Sequence, residues 1–258
     1  MRDEQPQGAL HSIAEGHGAR VVLVHGFTQN SNCWGPLADD LVRDHEVVRV
    51  DAPGHGGSST VHAGLHDGGR LIAASGGHAT YIGYSMGARF ALHLALDQPQ
   101  LARGLVLIGG TAGIDDDDER AERKRADDAN AARLERDGLE PFLDRWLAQP
   151  LFAGLPKAMQ FRDERSTNTM EGLASSLRLA GTGSQAALWS ELHRLDMPVL
   201  AIAGADDTKF CAAAERMVAA IGANATTAFI PDAGHTAHLE QPRRSVDTVR
   251  AWLDVHGL

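Results

Sequence analysis

Ser85, Asp207 and His235 are the residues whose types and settings could together do acid–base or nucleophilic chemistry. A serine hydroxyl is a weak nucleophile and a weak base at neutral pH. It needs an imidazole beside it to take its proton, and the imidazole needs a carboxylate to fix its tautomer and orientation. Ser85 stands in Gly83-Tyr84-Ser85-Met86-Gly87, directly after the apolar run Tyr81-Ile82-Gly83-Tyr84 and directly before a helical pattern that starts at Met86. A serine held on so sharp a strand-to-helix turn needs small neighbours, which Gly83, Gly87 and Ala88 are. The turn also places it at a helix N-terminus, where free amides favour negative charge.

His235 follows in Asp232-Ala233-Gly234-His235-Thr236 after one strand-like run, and Asp207 in Gly204-Ala205-Asp206-Asp207 after another. Asp206 is the neighbouring competitor; Asp207 is preferred because it stands three residues beyond the glycine. The order Ser, Asp, His and the strand-end positions are those of the nucleophile elbow and its partners in the α/β-hydrolase fold. Backbone amides of Phe27, in His25-Gly26-Phe27, and of Met86 are the expected oxyanion hole. His55, in Asp51-Ala52-Pro53-Gly54-His55-Gly56, reads as structural or pocket-lining. The spacing of the 13 histidines suggests no metal site, and no metal is expected.

Positioning these groups requires a sheet. Short apolar runs at Val21–Val24, Val47–Val50, Tyr81–Tyr84, Leu105–Ile108, Val199–Ile202 and Ala228–Ile230 read as buried parallel strands, with Leu10–Ala14 as an edge strand. Helical patterns at Trp34–Arg43, Met86–Leu96, Ala212–Ile221 and Arg243–Val255 alternate with them, as in a doubly wound sheet. The stretch His62–His78, rich in Gly and His, is expected to hold a short helix near Asp67–Ser75. From Thr111 to Pro198 no strand is legible, and a connection of that length should have its own structure. Its start, Asp115–Asp118 followed by Glu119, Arg120, Glu122, Arg123, Lys124 and Arg125, suits a capped, charged helix. The expected organisation is a mostly parallel α/β-hydrolase core in residues 1–110 and 188–258, with a helical cap in 111–187.

The chain has 258 residues, 43% of them hydrophobic, enough for one domain with an insertion. A net charge of -10 argues against a general nucleic-acid surface. An anionic ligand must therefore meet a local cationic pocket. Cys33 and Cys211 fit no zinc or disulfide pattern and suit a reducing compartment. Met1–Gly8 is polar without a secretory pattern, and no run is apolar enough to span a bilayer, so the cytoplasm is the expected location. The sequence leaves the oligomeric state open.

Beyond the triad, the sequence resembles the MenH-type 2-succinyl-6-hydroxy-2,4-cyclohexadiene-1-carboxylate synthases of menaquinone biosynthesis over most of its length. The likeness lies in His25-Gly26-Phe27 with Trp34, in Asp51-x-Pro53-Gly54-His55-Gly56-Gly57, and in Gly83-Tyr84-Ser85-Met86-Gly87 with Arg89. It continues through Gly109-Gly110 and Glu119-Arg120-Ala121-Glu122-Arg123, Trp146-x-x-Gln149-Pro150-x-Phe152 and Arg165-Ser166-x-Asn168. Asp207-Thr208-Lys209-Phe210 and Ala233-Gly234-His235-x-Ala237-His238 complete it. The matches in the insertion discriminate best, since the others are widespread in this fold.

The resemblance implies an elimination of pyruvate with Ser85, activated by His235 and Asp207, as base. It also implies that Arg89, Arg123 and Arg165 bind carboxylates of a small polycarboxylate substrate beside Tyr84 and Trp146, with no cofactor. Guanidinium forks suit such a substrate physically. The plain alternatives are a solvated helix face for Arg89 and Arg123, a surface ion pair for Arg165 and a core anchor for Trp146. The chain departs from the family between Val61 and His78 and at Met86, where leucine is frequent, which leaves room for another carboxylated substrate. A serine carboxylesterase or cofactor-free perhydrolase, and an idle ligand-binding scaffold, remain the competing functions.

Overall fold

The structure is a computed structural model that describes residues 9–258; the reading of Met1–Gly8 as a polar, unsignalled start lies outside them. Seven strands form one sheet: β1 (Ser12–Gly16), β2 (Ala19–Val24), β3 (His45–Val50), β4 (Ala79–Tyr84), β5 (Ala102–Ile108), β6 (Val199–Gly204) and β7 (Ala225–Ile230). Their order is β1-β3-β2-β4-β5-β6-β7. All neighbours are parallel except β1, which runs antiparallel to β3 at the edge. Strand alternation explains why both faces are covered. Val22 and Val24 enter one core, while Val21 and Leu23 enter the other.

Helices α1 (Pro36–Leu41), α2 (Leu65–Gly76) and α3 (Met86–Asp97) alternate with the first strands, and α8 (Thr208–Ile221), α9 (Ala237–Glu240) and α10 (Pro242–His256) with the last. Between β5 and β6 lie α4 (Asp117–Asp137), α5 (Leu139–Leu147), α6 (Arg162–Ser166) and α7 (Met170–Ala180), with no strand among the described residues of this interval. The charged α4 is capped by Asp116, whose side chain accepts the Glu119 amide. It buries only Asp127, Ala131 and Leu134, one narrow stripe at helical spacing. That stripe packs on Phe142 of α5 and on Leu173, Ala174 and Leu177 of α7, giving the insertion its own small core.

Several boundaries differ from the sequence-based expectation. The first helix begins at Pro36 rather than Trp34, because Gly35 turns with φ 53° and Trp34 is buried ahead of it. The edge strand is shifted to Ser12–Gly16 by its pairing with β3. Helix α2 extends on both sides of Asp67–Ser75; a Cβ on its Gly68 would lie 2.3 Å from Phe90, so helix contact rather than propensity selects glycine there.

Candidate active site

The six residues of β4 are all buried, and the chain leaves this central strand at Ser85 with φ 51° and ψ -106° before entering α3. A β-carbon on Gly87 would sit 1.8 Å from the Val24 carbonyl oxygen, so only glycine lets α3 pass so close to β2. The Ser85 amide is held by the Ile108 carbonyl at 2.8 Å, which pins the turn to β5. A positive φ at a non-glycine residue costs about 1–3 kcal/mol and persists where surrounding structure enforces it.

The loops after β6 and β7 meet this turn. Ser85 Oγ is 3.0 Å from His235 Nε2, and His235 Nδ1 is 2.9 Å from Asp207 Oδ2. Asp207 is also the N-cap of α8, accepting the Phe210 amide through Oδ1 at 3.3 Å. One carboxylate therefore orients the imidazole while being fixed by a helix start. Asp206 is exposed and takes no part. The His235 ring, 4% exposed, lies against the rings of Phe210 and Tyr84 at centroid separations of 4.4 and 5.5 Å. With Nδ1–H given to Asp207, Nε2 is free to accept the serine proton.

Phe27 follows β2 in a loop held from several sides. Thr28 has φ 68°, and its amide donates to His55 Nε2 at 3.3 Å. His55 in turn donates from Nδ1 to the Pro53 carbonyl, while His25 joins the Gly26 carbonyl to the Ala52 amide. His25 and His55 are thus loop fasteners. Burial pushes the His55 imidazole down to about 3 and lowers that of His25, so both stay neutral and can accept an amide proton. Among the described residues the Phe27 amide donates to no other group, which leaves it available beside the amide of Met86 at the head of α3.

A cavity of about 480 Å³ opens over Ser85 and His235, roofed by the insertion. Arg89 from α3, Arg123 from α4 and Trp146 from α5 all line it. Arg89 is 7% exposed and donates to the Ala180 carbonyl at 2.8 Å; burial, aided by the nearby Arg123, pushes its guanidinium down to about 10. Arg123 gives its Nε to the buried Asp127 carboxylate at 2.9 Å and remains partly open to the cavity. Trp146 packs on Phe27 and Phe142, and among the described residues its buried indole N–H has no partner. It is both the core anchor and an orphan donor in the wall.

Two expected substrate contacts lie elsewhere. Tyr84 is 3% exposed, packed between His235 and His238 rather than bordering the cavity, because it belongs to the buried end of β4. Arg165 is 1% exposed behind the wall. It donates to the Gln160 carbonyl at 2.7 Å, the Phe27 carbonyl at 3.4 Å and the Thr28 hydroxyl, tying α6 to the Phe27 loop. Neither a surface ion pair nor a direct cavity contact describes it.

Residues without a role in the sequence reading also line the cavity. Lys209 and Arg216 come from α8, seven positions apart and so on one helix face, a spacing that could have drawn attention to them. Arg216 pairs with Asp115 at 2.5 Å and covers the Trp189 ring at 3.7 Å. Phe210 faces His235, and Asp116 and Glu119 make one rim acidic. Among the described residues no cluster of His, Cys, Asp or Glu could hold a metal, no helix is long and apolar enough to cross a membrane, and both cysteines are free.

Comparison with known proteins gives this geometry relatives. Residues 21–248 match the model of the alpha/beta hydrolase family. The 2-succinyl-6-hydroxy-2,4-cyclohexadiene-1-carboxylate synthase of Salmonella heidelberg (strain SL476) is 32% identical over 253 residues, covering 93% of this chain and 96% of that protein. A Bacillus subtilis (strain 168) protein provisionally named for the same synthase activity is 36% identical, over 92% of each chain. Among solved structures, MenH from S. aureus superposes with a TM-score of 0.87 at 28% identity, over 97% of this chain and 99% of that one.

Proposed function

The chain belongs to the alpha/beta hydrolase family and, within it, to the 2-succinyl-6-hydroxy-2,4-cyclohexadiene-1-carboxylate synthases, and we propose that Ser85, His235 and Asp207 carry out its lyase reaction. The enzyme eliminates pyruvate from 2-succinyl-5-enolpyruvyl-6-hydroxy-3-cyclohexene-1-carboxylate. Loss of a proton from ring carbon 2 and of the enolpyruvyl oxygen from carbon 5, with the ring double bond moving between them, yields the 2,4-diene. The carbon-2 proton is acidified by the adjacent succinyl ketone, whose oxygen gathers the negative charge as the proton leaves.

That division of labour suits the site. Ser85 Oγ takes the carbon-bound proton as its own passes to His235 Nε2, 3.0 Å away. Asp207 stabilises the imidazolium that results. The amides of Phe27 and Met86 receive the enolate oxygen. Arg89 and Arg123 face the substrate's carboxylates with Trp146 in the wall beside them, whereas Arg165 positions the Phe27 loop and Tyr84 packs the histidine. Residues 111–187 act as the cap, and no cofactor is needed for a proton-driven elimination. The two free thiols fit a reducing, cytoplasmic setting.

The observation that carries the choice of elimination over ester hydrolysis is the cationic wall: Arg89 is buried beside the cavity and, among the described residues, has no carboxylate in salt-bridge range. A buried, unpaired guanidinium favours a site that receives an anion. Arg123→Ala should cut kcat/KM for the polycarboxylate about 10- to 100-fold, the loss expected for a charge-assisted hydrogen bond. Turnover of a small neutral activated ester should change less than twofold in the same variant. Efficient ester turnover by both proteins, without pyruvate release, would support the esterase reading instead.

A further inference from the structure

Five residues after His235 stands Glu240, the last residue of α9, on which the sequence places no chemistry. Its carboxylate folds back onto the histidine loop. Oε2 accepts the Gly234 amide at 2.7 Å, and Oε1 accepts the Thr236 amide at 2.9 Å and the Thr236 hydroxyl at 2.5 Å. The two amides flank His235 on either side. One carboxylate therefore clamps the peptide units that set where the imidazole projects, while Asp207 fixes the ring's tautomer and orientation through Nδ1–H.

The same residue meets the insertion. A β-carbon on Gly154 would lie 2.2 Å from Glu240 Oε2, so the 150–155 segment closes directly over the carboxylate and an added methyl there would have to push it aside. Beside it Leu239, fully buried, plugs into a cluster with Phe152 and Leu155. The insertion is thus seated on α9, immediately behind the catalytic histidine loop.

We infer that Glu240 is the positioning residue for His235 and that the insertion, through Gly154, holds Glu240 in place, so that a seated cap and an aligned base are one event. This inference rests on the proposed role of the triad. Its physical basis is that a shift of about 1 Å in a reacting group costs on the order of 100-fold in rate, so a group that fixes the loop acts on turnover rather than on substrate affinity.

The test uses the full chain and three variants, Glu240→Ala, Glu240→Gln and Gly154→Ala. Each is assayed for kcat and KM in pyruvate release, and for the rate at which a fluorophosphonate labels Ser85. The label reads serine–histidine alignment whatever the natural reaction is. Expected are a fall of about 10- to 100-fold in both kcat and labelling rate for Glu240→Ala, with KM within about threefold. Glu240→Gln keeps one acceptor oxygen and should recover part of the loss. Gly154→Ala should lower kcat and labelling in the same direction, although it removes no hydrogen-bonding group and its backbone is one alanine adopts. If Glu240→Ala does not fold, the other two variants decide. Unchanged kcat and labelling in Gly154→Ala, or in a folded Glu240→Ala, would overturn the inference. Normal pyruvate release by Ser85→Ala would instead overturn the role of the serine, leaving the labelling result to judge Glu240 separately.

Discussion

Replacing Arg89 with methionine should make the protein more stable and less active at once. The guanidinium is 7% exposed, donates one hydrogen bond to the Ala180 carbonyl and, among the described residues, has no carboxylate in salt-bridge range. Burial lowers its protonation equilibrium from the ordinary arginine value to about 10, so the charged form carries a cost of about 3 kcal/mol in the folded state. At pH 7.5, below the folded and the unfolded values alike, that cost is fully present; it would be relieved only at pH above about 10. Methionine keeps most of the side-chain volume and removes the charge. Losing the bond to Ala180 takes back about 1 kcal/mol, leaving a net gain of about 1–2 kcal/mol, or a Tm rise of roughly 2–8 °C. In the same variant a substrate carboxylate loses its charge-assisted partner in a desolvated wall. That should cost about 3 kcal/mol in kcat/KM, about 150-fold. Thermal unfolding and steady-state pyruvate release, measured on one preparation, check both halves. A Tm that falls by several degrees while kcat/KM stays within threefold of wild type would refute the assignment of Arg89 as an unpaired anion receptor.

Asp207→Asn should leave the fold intact, since asparagine can still cap α8, yet lower kcat by roughly 10³- to 10⁴-fold because the imidazole loses its tautomer control; an effect under tenfold would count against the triad. His238, fully buried between Trp34 and Tyr84 with neither ring nitrogen partnered among the described residues, is pushed down to about 3 by burial. The unfolded chain therefore takes up its proton first as pH falls below about 6.5, and stability is lost in that direction, by about 2 kcal/mol at pH 5 from this residue. His238→Phe should shrink the difference between urea unfolding free energies at pH 7.5 and 5 by that amount, without loss at pH 7.5; an unchanged difference would contradict it.

The elbow at Ser85 was legible because its demands are local: an all-apolar strand, small neighbours and a helix that starts at once. Asp207 and His235 were legible through chain order and strand ends. What was illegible depends on contacts between distant segments. Helix α8 starts at Thr208, four residues before the apolar pattern at Ala212, because Asp207 is its cap as well as the partner of His235. Arg165 reads as a cavity residue from its motif, but α6 turns it inward to the Phe27 loop, a contact spanning well over a hundred positions. Glu240 is illegible in the sequence because its three partners are loop amides and a hydroxyl, which carry no pattern of their own. Lys209 and Arg216 could have been found from their spacing on α8.

Ser85 as the base of a pyruvate-eliminating lyase is checked by incubating wild type and Ser85→Ala with the succinylated enolpyruvyl cyclohexene carboxylate and measuring pyruvate and diene together. Wild type should release the two in equal amounts, and the alanine variant should be slower by about 10³-fold or more. No pyruvate above the uncatalysed background from wild type, or equal rates from the two proteins, would rule out that role for Ser85.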